Sequence, residues 1–290
     1  MITTEIKKTE FKIINSKKKS PKGVDESLCY RSKSPGDATK MIEAVCRKDP
    51  NAHITVYGGD GSVYESVNAI MSAGAGDTAE LTVIPFGTGN DFVKSLPTAD
   101  NVKKKIDLIK FGDRYSANII NIGFDCDVVA VTEKLKRMKL VKGSIAYAIG
   151  VLVTVFKKMG KKFDIEMTLE DGSVEHVVGE HLLCLIANGR YYGGGFKCAP
   201  NAELDDGILD VVLVRKISRL RFAKFIGGYK KGLHIRPDGS VDPKYASIAV
   251  YKRCTALKFK NLGRLCADGE IIECDDVEIT VAHKAITITK

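Results

Sequence analysis

The chain has 290 residues, 44% hydrophobic and 28% charged, ordinary proportions for a globular protein and enough length for one large domain or two modest ones. Lys and Arg outnumber Asp and Glu by 45 to 36, a formal net charge of +9, which suits an acidic partner (nucleotide, nucleic acid or anionic membrane surface) without choosing among them. The longest uncharged apolar run, residues 144–156, is shorter than the ~20 residues that span a bilayer, five dispersed histidines lack zinc spacing, and eight scattered cysteines without a CxxC pair, behind a polar N-terminus, point to reduced cytoplasmic thiols.

The first predicted strand is Phe11–Asn15, and the basic run Lys17–Lys19 behind it reads as a solvated loop. Gly36-Asp37 opens a helix, with Asp37 as N-cap and Ala38, Met41, Ile42, Val45 and Cys46 on its apolar face. His53–Tyr57 is β-branched and aromatic, as a buried strand requires. Gly58, Gly59 and Gly61 follow, and then a helical pattern with Val63, Val67, Ile70 and Met71 on one face. A strand, a glycine turn and a helix N-terminus aim several N–H groups and the positive end of a helix dipole at one spot, which suits a phosphate. From spacing alone, a tight turn with no ligand fits as well. Asp60 inside the loop would repel a bare phosphate; it makes sense with a divalent cation between them, or hydrogen-bonded to its own turn.

Leu81–Phe92 repeats the pattern of strand, glycine turn and polar helix start, and Thr88 could bond a phosphate oxygen. Two such turns after consecutive strands share the carboxyl edge of a parallel sheet, where open α/β folds bind ligands. Asp100–Lys110 reads as a helix with Val102, Ile106 and Ile109 inward. From Tyr115 the pattern becomes β-rich, with strands at 116–123, 163–169, 174–178, 181–187 and 209–214, and turn chemistry such as Glu170-Asp171-Gly172 between them. Val131–Lys162 reads as a helix with basic ends around the apolar 144–156. It suits either a membrane interface or packing against the β domain with a solvated rim. Ile217–His234 is a second basic helix, and 277–281 and 285–289 are the last strands. The expectation is an α/β domain over 1–115, joined by a return at 283–290, and a mainly antiparallel β-sandwich over 116–282.

Gly58-Gly-Asp-Gly-Ser62 followed by Pro85-Phe-Gly-Thr-Gly-Asn-Asp91 resembles the diacylglycerol kinase catalytic-domain family, in particular its soluble bacterial lipid kinases. The resemblance spans nearly the whole chain and implies the two-domain fold shared with NAD kinases, with a parallel α/β nucleotide domain. It implies an ATP- and Mg²⁺-dependent kinase acting on the hydroxyl of a membrane lipid, with diacylglycerol as acceptor and phosphatidic acid as product. It assigns the nucleotide to Gly58, Gly59, Asp60, Gly61, Ser62, Gly87, Thr88, Gly89 and Asn90, with Asn15 and Ser32 at the edge. Family members usually carry Asn-Pro after the first strand with Ser-Gly close behind. Here the chain reads Asn15-Ser16, with Ser20-Pro-Lys-Gly23 later.

In Leu265-Cys-Ala-Asp-Gly-Glu270 the resemblance makes Glu270 the base that takes the acceptor proton, with Asp268 beside it. Asp91 and Asp125 are candidates for orienting Mg²⁺ or the hydroxyl, and Asp60 for holding Mg²⁺. In the acidic turn 197–210, Asp206 and the backbone carbonyls of Glu203 and Ile208 would bind a structural Mg²⁺. Without the resemblance that turn reads as a hairpin capping itself. Sphingoid-base and ceramide kinases share this frame. Phosphofructokinases share Gly-Gly-Asp-Gly but carry a Thr-Ile-Asp segment not found here, and NAD kinases are not expected to carry the Gly-Thr-Gly-Asn-Asp turn. The contrasting class is a regulatory module that binds a nucleotide or anionic lipid without turnover. The partners implied are ATP and a lipid at the bilayer surface, no nucleic acid, and a homodimer as one arrangement; the location is cytoplasmic with peripheral membrane association.

Overall fold

The computed structural model describes residues 9–14, 23–34, 36–99, 102–137, 149–150, 153–155 and 160–290. Its first part is a parallel sheet in which β1 (Glu10–Ile14) pairs with β2 (Cys29–Arg31) and β3 (His53–Gly58), and β3 pairs with β4 (Glu80–Pro85). The helices α1 (Asp37–Lys48) and α2 (Asp60–Ser72) are connectors in this part. Ile54, Val56, Leu81 and Val83 are buried with Ile42, Val67 and Ile70, so strand and helix faces share one core. Each such side chain contributes about 1.5–3 kcal/mol, and Ile70→Ala would remove ~2–5 kcal/mol. Helix α1 starts at Asp37 as expected, but its N-cap is Gly36 in the left-handed region. The Asp37 carboxylate instead accepts the Lys33 N–H at 2.8 Å and the Tyr30 hydroxyl at 3.0 Å.

Residues 104–111 correct the sequence reading, because they form strand β5 (Lys104–Phe111) rather than a helix. Ile106, Leu108 and Ile109 are buried in succession, and a short apolar run carries no periodicity that separates the two conformations. Ile106 and Leu108 belong to the α/β core, whereas Ile109 and Phe111 belong to the next one, so β5 passes from one core to the other.

The remainder comprises β6 (Arg114–Ser116), β7 (Ile119–Gly123), α3 (Phe124–Arg137), β8 (Lys161–Leu169), β9 (Val174–Ala187), β10 (Leu209–Arg215), α4 (Arg219–Lys230), β11 (Ala249–Phe259), β12 (Gly263–Ala267), β13 (Glu270–Cys274) and β14 (Val277–Thr289). Every pairing among β7 to β13 is antiparallel. The two strands expected at 174–187 are one strand. The first part of β9 pairs with β8 and the second with β7 and β10, so a single strand serves both faces of the sandwich. The last strands also fuse. The start of β14 pairs with β11, and residues 287–289 lie parallel to β4, tying the sandwich to the α/β sheet. Helices α3 and α4 cover a third core, where Phe124 and Phe222 stand 5.1 Å apart. Most of the predicted helix over 131–162 lies outside the described residues, and its end, Lys161-Lys162, begins β8. No described helix is long and apolar enough to cross a membrane.

Candidate active site

Because β1 to β4 run parallel, the loops after β3 and β4 leave the sheet at the same edge, with Gly58 and Pro85 in register. They then stand backbone to backbone. A Cβ on Gly87 would lie 2.6 Å from the Gly59 Cα and 2.7 Å from Asn90 Oδ1, and one on Gly59 would lie 3.0 Å from the Gly87 Cα, so only glycine permits this contact. Asn90 adopts a positive φ of 50° and folds the second loop itself. Its Oδ1 accepts the Gly87 N–H at 2.9 Å, and its Nδ2 donates to the Gly87 carbonyl at 3.1 Å. The Asp60 carboxylate reaches across from its own turn. Its Oδ1 accepts the Phe92 N–H of the other loop at 3.0 Å and locks the two together. No side chain caps α2, and the N–H groups of Ser62 and Val63 turn back onto the Gly59 carbonyl at 2.9 and 3.1 Å. Ser62 is buried in its first turn.

The facing wall is the β12–β13 hairpin, whose two turn residues, Asp268 and Gly269, have φ of 48° and 96°, the geometry of a tight two-residue turn. The Asp268 carboxylate accepts from Ser116 Oγ at 2.7 Å and from the N–H groups of Ala117, Asn118 and Ile119 at 2.9, 3.2 and 2.9 Å. It therefore fastens the hairpin to the segment entering β7. Burial pushes its pKa up to about 6, against the pull of those donors. Two residues on, Glu270 Oε1 lies 3.9 Å from where a Cβ on Gly61 would stand, at the N-terminus of α2. Burial raises the pKa of Tyr64, one turn along the same helix, Arg114 opposes the shift, and Asp268 and Glu270 add to it.

Between the two walls lies a cavity of about 270 Å³. Asp60, Thr88, Gly89 and Asp91 line it from the α/β side, and Asn118, Asn121, Asp125, Tyr192, Gly194 and Asp268 from the sandwich side. A Cβ on Gly89 would meet Asp60 Oδ2 at 3.0 Å and Asp91 Oδ2 at 3.6 Å, so both carboxylates converge on one point. Asp91 is buried, pairs with Lys94 Nζ at 2.6 Å and accepts the Gly194 N–H at 2.7 Å. Gly193, Gly194 and Gly195 have φ of 59°, 83° and 105°, and this left-handed run turns the Gly194 N–H toward Asp91. The Tyr192 hydroxyl donates to Asp125 Oδ2 at 2.5 Å. Burial raises the Asp125 pKa to about 6, with the tyrosine pulling the other way.

Residues 11–122 match the diacylglycerol kinase catalytic domain, and residues 118–290 match the YegS C-terminal NAD kinase beta sandwich-like domain. The chain belongs to the family of the YegS C-terminal NAD kinase beta sandwich-like domain, which matches more than half of it, with the diacylglycerol kinase catalytic-domain match ahead of it. It is 32% identical over 191 residues to a Shewanella frigidimarina protein named "Probable lipid kinase YegS-like", covering 61% of this chain and 59% of that one. It is 29% identical over 219 residues to "Diacylglycerol kinase" of Mycobacterium tuberculosis, covering 70% and 67%. The match thus spans about three fifths to two thirds of these relatives' length. A crystal structure of a diacylglycerol kinase from Bacillus anthracis str. Sterne superposes with a TM-score of 0.69 over 97% of this chain and 96% of that one, at 22% identity, a likeness of fold.

Other residues expected from the family pattern are placed differently. Ser32 follows the last residue of β2, its N–H on the Ile14 carbonyl at 3.2 Å, and it does not line the cavity. Asn15 lies outside the described residues. The expected cation at Asp206, Glu203 and Ile208 meets another arrangement. Asp206 Oδ1 accepts the Ile208 N–H at 3.1 Å, and Oδ2 pairs with Arg253 Nη2 at 2.8 Å. Lys104 pairs with Asp205 at 2.8 Å, and the buried Asp107 beneath takes the Gly207 N–H at 2.7 Å and His283 Nδ1 at 2.8 Å. The Ile208 amide and Arg253 thus occupy both oxygens of the Asp206 carboxylate, the charged member of the expected donor set, and leave it no oxygen free for a metal. Among the described residues, no three His, Cys, Asp or Glu cluster as a metal site. Sequence reasoning missed the Tyr192–Gly194 loop, Asn118 and Asn121. Three successive glycines, Gly193–Gly195, were the available signal.

Proposed function

We propose that this chain transfers the γ-phosphoryl group of ATP to the hydroxyl of a membrane lipid, with diacylglycerol as acceptor and phosphatidic acid as product. The observation that carries this reading is the exposed Glu270, whose Oε1 stands 3.9 Å from where a Cβ on Gly61, in the first turn of α2, would lie. ATP phosphates lie along the turns Gly58–Ser62 and Gly87–Asn90, where the dipole of α2 favours negative charge. Glu270 takes the acceptor hydroxyl proton as the oxygen attacks the terminal phosphorus, the bond to the β-phosphate bridge breaks, and ADP leaves. Asp268 acts as a positioning residue, holding the hairpin that aims Glu270.

Magnesium would be held by Asp60 beside the second loop, since this ion takes few protein ligands besides the substrate phosphates, while both Asp91 oxygens are already engaged by Lys94 and the Gly194 N–H. When bound it neutralises charge on those phosphates. The cavity matches a lipid head group rather than a whole diacyl lipid, leaving the chains in the bilayer. The names of the mycobacterial and Shewanella relatives support a lipid acceptor.

The test is transfer of labelled γ-phosphate from ATP in mixed micelles containing diacylglycerol, monoacylglycerol, sphingosine or ceramide. Label in phosphatidic acid is expected. Label only in a sphingoid product would move the acceptor assignment, and label in none would remove the kinase reading.

A further inference from the structure

Between Val211 and Pro237 the chain carries eight Lys or Arg and no Asp or Glu, and α4 lies at the centre of this stretch. Its buried face is Phe222, Phe225 and Tyr229, packed on the third core. On the opposite face, helical spacing aligns Leu220, Lys224, Gly227 and Lys231, with Arg221 alongside. Leu220 is 79% exposed, the most exposed large apolar side chain among the described residues, and Leu233, just past the helix, is 56% exposed. Arg221, Lys224 and Lys231 form no ion pair among the described residues, whereas the flanking Lys216 and Arg236 pair with Glu180 and Asp242.

This pattern does not serve the helix itself. Arg219 and Arg221 stand in the first turn of α4, where the macrodipole disfavours cations, and that turn itself carries no acid. Nor does it serve the core, since both leucines point away from it. Leucines at either end of a ridge of unpaired cations match an anionic bilayer, where the cations meet phosphate head groups and the leucines enter the interface. The helix is also coupled to the cavity. Phe222 packs on Phe124 at the start of α3, which carries Asp125, and Tyr229 packs on Phe196, which follows the Gly193–Gly195 turn.

We infer that the outward face of α4 docks the protein on anionic phospholipid, seating the cavity against its lipid supply. The inference rests on the lipid-kinase reading for its purpose, but its test is independent of turnover. The full chain is floated with vesicles of phosphatidylcholine alone and with vesicles containing 30% phosphatidylglycerol, at low and high salt. The wild type is expected to float with the anionic vesicles, weakening as salt rises. Arg221→Gln/Lys224→Gln/Lys231→Gln should weaken that binding roughly 100-fold, from about fivefold per cation, and Leu220→Ser should weaken the part that survives high salt. Both variants should melt as the wild type does and phosphorylate a soluble short-chain diacylglycerol at the wild-type rate. Unchanged flotation of the triple variant overturns the inference. So does a loss of binding to a single-stranded oligonucleotide with vesicle binding intact, which would assign the face to nucleic acid. Flotation that follows these expectations without phosphoryl transfer to any lipid would remove the kinase reading and leave the docking face standing.

Discussion

Gly87→Ala and Gly61→Ala, two identical changes in one cleft, should have opposite consequences. At Gly87 the new methyl would meet the Gly59 Cα at 2.6 Å and Asn90 Oδ1 at 2.7 Å. One obstacle is backbone, and the other is a side chain already committed to holding the loop, so neither yields easily. Overpacking of this kind costs about 1–3 kcal/mol, and each kcal/mol lowers the Tm of a protein this size by ~2–4 °C. ATP affinity should fall with it, because the loops part where the phosphates are proposed to rest. At Gly61 the methyl would meet only Glu270 Oε1, at 3.9 Å, an ordinary contact. Alanine also suits a helix better than glycine by up to ~1 kcal/mol, so Gly61→Ala should melt at or slightly above the wild type. Its methyl would nonetheless narrow the passage between the cradle and Glu270, and kcat should drop at least ~10-fold as the reacting groups are held apart. Scanning calorimetry, ATP titration and turnover distinguish the two. Equal Tm losses, or a Gly61→Ala enzyme of full activity, would refute the geometry from which the contrast is drawn.

Asp125 has a folded pKa of about 6, above the ~3.9 of an unfolded aspartate, so the folded state holds the extra proton and stability falls as pH rises from about 4 to 6. Asp125→Asn, which still offers an acceptor to Tyr192, should remove up to ~3 kcal/mol of that fall in urea titrations, with Asp210 and Asp268 sustaining the remainder in the same window. Arg253→Gln should lower stability by about 1–2 kcal/mol, equally in Mg²⁺ and in EDTA; a loss confined to one condition would place a metal ion on the acidic turn.

The cradle was legible because its parts are local. Strand and glycines within Tyr57–Ser62 and Ile84–Asp91 define their own geometry, and parallel neighbours bring them to one edge; a helix follows the first turn as expected, whereas the second leads only into the single 3₁₀ turn Phe92–Lys94. Glu270 was legible only through resemblance, since Asp268-Gly269-Glu270 alone reads as a hairpin turn. Its place opposite α2 depends on Asp268 gripping residues about 150 positions away. Strand β5 was misread because Ile106 and Ile109 fit a helical stripe, whereas in the fold they face different cores. The surroundings of the Asp206 turn were not legible because Arg253, Lys104 and His283, which bond its acids and the Asp107 beneath, arrive from distant strands. Asp60 contacts the second loop rather than its own turn, a distinction that spacing within one loop does not carry.

The most direct test of the account is single-turnover phosphoryl transfer by Glu270→Gln, with ATP binding followed in parallel by calorimetry. The variant should bind ATP with wild-type affinity and form labelled lipid at least ~10²-fold more slowly, as loss of a general base requires. Unaltered transfer with Glu270→Gln would contradict the placement of the acceptor between that carboxylate and the cradle.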